Sequence, residues 1–111
     1  NFFADIPTQS HVQIVRSNRD KIVESAYLSI QQAIEHYPGT QPTVALLFSC
    51  TGRLHLLGTR AKEEYQMLQT TPLAGVTCAG FYTYGEIAPL SPRSKAQFHN
   101  ETFVTLLLGR E

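Results

Sequence analysis

Apolar positions along this chain change period several times, and each change marks an element. His11 to Arg16 alternates, with Val12 and Ile14 on one side, which predicts a strand half-buried on a sheet. From Ser17 the repeat becomes helical: Val23, Ala26, Tyr27, Ile30, Ala33, Ile34 and Tyr37 keep one face. Ser17 is a capping residue type with Asp20 three positions on, and Pro38-Gly39 ends the helix. The polar face of that helix, with Glu24, Gln31, Gln32 and Glu35, reads as solvated.

Thr43 to Ser49 is a continuous apolar run (Val44, Ala45, Leu46, Leu47, Phe48), the pattern of a strand covered on both faces. A second helix is predicted over about Thr59 to Gln69, and its phase extends back through Leu57 and Leu54. Thr71-Pro72 ends it, and Leu73 to Cys78 is a third strand that runs on toward an aromatic stretch. Pro89 to Lys95 is an exposed loop, and Thr102 to Leu108 a final strand. The expected fold class is α/β (α+β): a single mixed sheet packed with two helices, in the order β-α-β-α-β-β. Helical crossovers make the early strands parallel, whereas the last strand, entered from a loop, should be antiparallel. The expected sheet core is Val44, Leu46, Leu47, Phe48, Val76, Val104, Leu106 and Leu108, with Ile30 and Ile34 packed on it.

Composition narrows the function classes. One domain over residues 1–111 accommodates the whole chain, whose 42% hydrophobic content is that of a globular protein. Nine basic residues balance nine acidic ones and are scattered, which argues against a nucleic-acid or membrane-surface partner. No apolar run approaches the ~20 residues of a membrane span. The chain opens on Asn1, Phe2 and Phe3, so it reads as part of a longer polypeptide, with residues 1–10 a linker or a strand from a preceding half. An incomplete edge there would favour self-association. Two cysteines, Cys50 and Cys78, lack disulfide-scaffold spacing and read as free thiols of a reducing compartment, each at the end of a strand.

The densest chemistry lies in Gly80-Phe81-Tyr82-Thr83-Tyr84-Gly85-Glu86-Ile87, where two glycines bracket aromatics and a carboxylate follows. Glycine there permits positive φ or close backbone approach. Parallel strands bring their C-terminal ends to one edge. The turn carrying Cys50 and Arg53, the turn carrying Tyr84 and Glu86, and the segment Phe98-His99-Asn100-Glu101-Thr102 should therefore meet.

Those three segments, with Ser49-Cys50-Thr51-Gly52-Arg53 as the first, resemble the motifs of the FIST C-terminal domain in the same order. The resemblance covers roughly residues 44 to 109. It implies a cytoplasmic sensory module of a signal-transduction protein. Such a module binds a small amino-acid-like ligand, accompanied by an N-terminal FIST half and an output domain in one chain. Carried onto these motifs, the ligand-binding residues are Cys50, Arg53, Tyr82, Tyr84, Glu86, His99 and Asn100, with no metal and no cofactor. Arg53 would grip a carboxylate and Glu86 an ammonium.

Plainer readings stand beside each role. Arg53 and Glu86 can pair with each other, Tyr82 or Tyr84 can be core, and Asn100 can cap a turn. Cys50, His99 and Glu86 have the residue types of a thiol hydrolase or transferase. A zinc site from Cys50, Cys78, His55 and His99 lacks any close ligand pair. A protein-interaction module using the Pro89–Lys95 loop and the aromatic run needs no small ligand at all.

Overall fold

The computed structural model describes residues 5–110. Asn18, rather than Ser17, caps the first helix, α1 (Arg19–Glu35): its Oδ1 accepts from the Lys21 backbone N–H at 2.8 Å. Ile22, Ala26 and Ile30, four residues apart, are the buried stripe of this helix. The chain then enters β1 (Val44–Cys50) and turns directly into α2 (Thr51–Leu57). A 3-10 turn (Gly58–Arg60), α3 (Glu63–Gln66) and a second 3-10 turn (Met67–Thr70) follow. The single helix expected from Thr59 to Gln69 is thus a broken series that begins earlier.

The remaining strands are β2 (Thr77–Thr83), β3 (Glu86–Ala88), β4 (Gln97–His99) and β5 (Phe103–Leu108). A three-stranded sheet has the order β2-β1-β5, with β1 parallel to β2 and antiparallel to β5. Both strand directions agree with the crossover argument. The mixed α+β class holds, but the sheet is not single, because β3 and β4 form a separate antiparallel pair. Nor does the first expected strand form. His11–Arg16 carries no strand structure, and Val12, Ile14 and Val15 are 68%, 95% and 78% exposed. Alternation gave that segment a strand's face, yet no strand among the described residues offers it a ladder of hydrogen bonds. Residues 5–10 are likewise exposed and outside any strand, whereas Phe2 and Phe3 lie outside the described residues.

The sheet buries one face. Ala45, Leu47 and Ser49 of β1 are 0–1% exposed, and Ala45 and Leu47 meet Ala26, Ile30, Leu68, Leu73 and Phe103 in one core. On the opposite face the register aligns Phe48 with Phe81 and Val104, and Leu46 with Leu106. Phe81 is 62% exposed, Leu106 45% and Leu108 48%. Val44, Leu46, Phe48 and Val104 are only half-buried. The apolar run of β1 therefore has the composition of a doubly covered strand but a cover on one side only, among the described residues. Leu106 and Leu108 leave the expected core for this reason.

Gly80 explains how β2 lies against β1. A Cβ on Gly80 would stand 1.8 Å from the Leu47 carbonyl oxygen, so the residue serves close backbone approach. Gly85 does the same for the Phe98 ring, which a Cβ would meet at 2.5 Å. Neither adopts a positive φ.

Candidate functional site

Three turns meet at the C-terminal end of β1 and β2, as the topology required. The Cys50 backbone N–H donates to the Thr102 carbonyl at 3.0 Å, and Thr51 Oγ1 donates to the Thr83 carbonyl at 3.0 Å. Glu86 is the junction. Its carboxylate is 5% exposed and accepts from the Thr83 and Thr102 hydroxyls, the latter at 2.5 Å. One buried acid thus ties the Tyr82–Glu86 turn to the entry of β5. Glu101, beside Thr102, takes a left-handed backbone (φ 58°), and its Cγ would stand 3.0 Å from a Cβ on Gly52.

Arg53 leaves this rim. Its guanidinium is 4% exposed and points beneath α1: Nε donates to Glu64 at 2.7 Å, Nη1 to Ser25 Oγ at 2.9 Å and Nη2 to the Ile22 carbonyl at 2.5 Å. Glu64 is fully buried, and its second oxygen accepts from Ser49 Oγ at 2.8 Å. The Phe103 ring lies 5.6 Å below the guanidinium carbon, adding a cation–π contact. The expected clamp of Arg53 with Glu86 is therefore absent, since each charge is satisfied by other partners. Physically, α2 starts immediately after β1 and carries Arg53 round to the α1 side.

The other expected site residues separate in the same way. Tyr82 pairs with Ser49 across the sheet and packs edge-on against Tyr65, with ring centroids 6.2 Å apart. Burial, followed by the nearby Tyr82 and Glu64, pushes the Tyr65 phenol up to about 12, and burial also raises that of Tyr82. Tyr84 lies just past the end of β2 and is 88% exposed. Cys50 is sealed at 1% exposure. Cys78 pairs in register with Ala45, five positions from Cys50 and so about 16 Å along the sheet. Those two thiols are not neighbours. His99 Nε2–H donates to the Ala88 carbonyl at 3.1 Å, and the buried Asn100 Oδ1 has no hydrogen-bond partner among the described residues.

Sequence reasoning missed Glu64 and a groove. Glu64 follows Glu63 in a short polar helix, and nothing local distinguishes the buried acid from the solvated one. The groove, about 580 Å³, runs between α1 and the Ala88–Arg93 segment, with Thr102–Thr105 as its floor. Its α1 wall includes Ser29, Gln32 and His36, of which Gln32 was read above as solvated. Ser29 and Thr105 share a hydrogen bond of 3.0 Å across it. His99 and Thr102 belong both to the groove and to the three-turn junction, so the two are continuous.

The sequence model of the FIST C domain matches residues 1–89. The chain belongs to the FIST C domain family. The match takes in the segment before Val44, which the motifs did not reach, and stops short of Phe98–Thr102. No curated protein and no solved structure matches this FIST C domain. No helix among its described residues is long and apolar enough to cross a membrane.

Proposed function

We propose that this FIST C domain is the ligand-binding part of a cytoplasmic signal-transduction protein and takes a small, amino-acid-like molecule. The observation that carries the proposal is the groove continuous with the three-turn junction. Its volume suits a small ligand. Family membership supports the sensory role. In this reading His99 contacts ligand directly, Asn100 and Glu86 shape the rim, and Cys50 and Arg53 act from below by fixing the turn that ends β1. Tyr82 supports the sheet end and Tyr84 is free to close over a ligand.

The uncovered sheet face favours a companion to that role. Leu106, Leu108 and Phe81 form the surface on which an N-terminal FIST half would pack, and an output domain in the same polypeptide would read the result. An interaction module without a small ligand is the second reading, favoured by the same apolar face and by exposed Ile87, Leu90 and Phe98.

A thermal-shift screen of amino acids tests the proposal, with the chain alone and joined to a FIST N-terminal half. A ligand at a hundredfold over its dissociation constant should stabilise by about 2.7 kcal/mol. No stabilisation by any amino acid in either form would leave the interaction module as the better reading.

A further inference from the structure

We infer that the groove between α1 and the Ala88–Arg93 segment takes the anionic end of its ligand, a carboxylate or phosphate, and that Arg93 holds it. The inference deepens the ligand-binding reading above and rests on it for the location.

The charge inventory of the groove carries the argument. Among the described residues its ionisable lining groups are Arg93, His36 and His99, with no carboxylate. Glu86, the acid expected to hold a ligand ammonium, is committed to two threonine hydroxyls, and Glu64 lies buried against Arg53. An ammonium therefore finds no counter-charge in this groove, whereas an anion finds a guanidinium and neutral donors. Gln32, Ser29 and Thr105 supply amide and hydroxyl groups along the same walls.

Arg93 is also the residue that the local backbone singles out. No carboxylate pairs with it among the described residues, in contrast to Arg53 and Arg60. Its φ of 64° lies in the left-handed region, uncommon for an arginine. The loop around it is closed by Ser94 N–H donating to the Ser91 carbonyl at 3.1 Å and Ser91 N–H donating to Ser94 Oγ at 3.2 Å. A strained residue held by its surroundings points to a function for the position. The planar fork of a guanidinium fits carboxylate and phosphate oxygens alike.

The test is a nuclear magnetic resonance titration of the isotope-labelled chain at constant ionic strength, using inorganic phosphate, succinate and ethylammonium as separate probes. Phosphate or succinate should give saturating shifts confined to the Ala88–Arg93 segment and the groove side of α1, and ethylammonium none. Whichever anion saturates at the lower concentration identifies the source of the charge. Arg93→Gln should weaken that anion about 10- to 100-fold, the loss of a charge-assisted hydrogen bond. Arg16→Gln, a change in the exposed N-terminal segment, should leave it unaltered. Shifts that never saturate and spread over every surface lysine and arginine would overturn the inference, as would parental affinity in Arg93→Gln. An amino acid that stabilises parent and Arg93→Gln equally would sink the groove assignment while sparing the sensory reading. Anion binding through Arg93 without stabilisation by any amino acid would do the reverse.

Discussion

Glu64→Gln removes the negative charge from a fully buried ion pair while preserving side-chain volume. In the parent, Arg53 and Glu64 are 4% and 0% exposed, and the guanidinium spends its hydrogen bonds on Glu64, Ser25 and the Ile22 carbonyl. The variant leaves a desolvated guanidinium without a counter-charge, a loss of about 3–5 kcal/mol. For a domain whose whole stability is about 5–15 kcal/mol, that is a large fraction. At an unfolding entropy of roughly 2.1 cal/mol/K per residue, the melting temperature should fall by about 13–21 °C. Urea denaturation followed by circular dichroism measures the change, with an unaltered slope if the unfolded state is unaffected. Replacing both partners, Arg53→Met with Glu64→Leu, should recover much of the loss, because no buried charge then remains. A Glu64→Gln variant within about 0.5 kcal/mol of the parent would refute the reasoning, that being the range of an ordinary surface change. So would an Arg53→Met variant of parental stability that has lost ligand binding, since Arg53 would then be a ligand residue after all.

The sheet's one-sided burial predicts that Leu47→Ala costs about 2–5 kcal/mol and that Leu106→Ala, at 45% exposure, costs less than half as much, by urea denaturation of both. Equal losses would mean that something covers the outer face. Tyr65, with its phenol raised to about 12 against an ordinary 10.0, binds its proton more tightly folded than unfolded. Its contribution is therefore complete below about pH 10 and lost as pH rises through about 12. Ultraviolet titration should show late tyrosine absorbance that is reduced in Tyr65→Phe, and stability of that variant should fall less steeply across this window. Finally, the open apolar face should make the isolated chain self-associate, which light scattering over a concentration series would detect. A clean monomer at high concentration would count against it.

Local pattern carried much of the architecture. The unbroken run Val44–Phe48 identified the central strand, and the helical phase of residues 23–37 identified α1. Whether a helix lies in the connection then gave the directions, β2 parallel and β5 antiparallel to β1. From those directions alone, the turns bearing Cys50, Glu86 and Thr102 had to meet. The periodicity of Val12 and Ile14 was equally clear, but a strand exists only where another strand accepts its hydrogen bonds. No strand among the described residues does so for His11–Arg16. Partner choice among charges was also beyond the sequence. Arg53 stands one residue from Gly52 in a rim motif, yet the immediate start of α2 rotates it beneath α1, where Glu64 waits. A charge takes whichever opposite charge the fold brings near in a place that excludes water, and that depends on helix rotation. Chain order therefore determined which elements form and which strand ends converge. Only the packed structure decided which face is buried and which charges neutralise one another, Arg53 with Glu64 rather than with a rim partner.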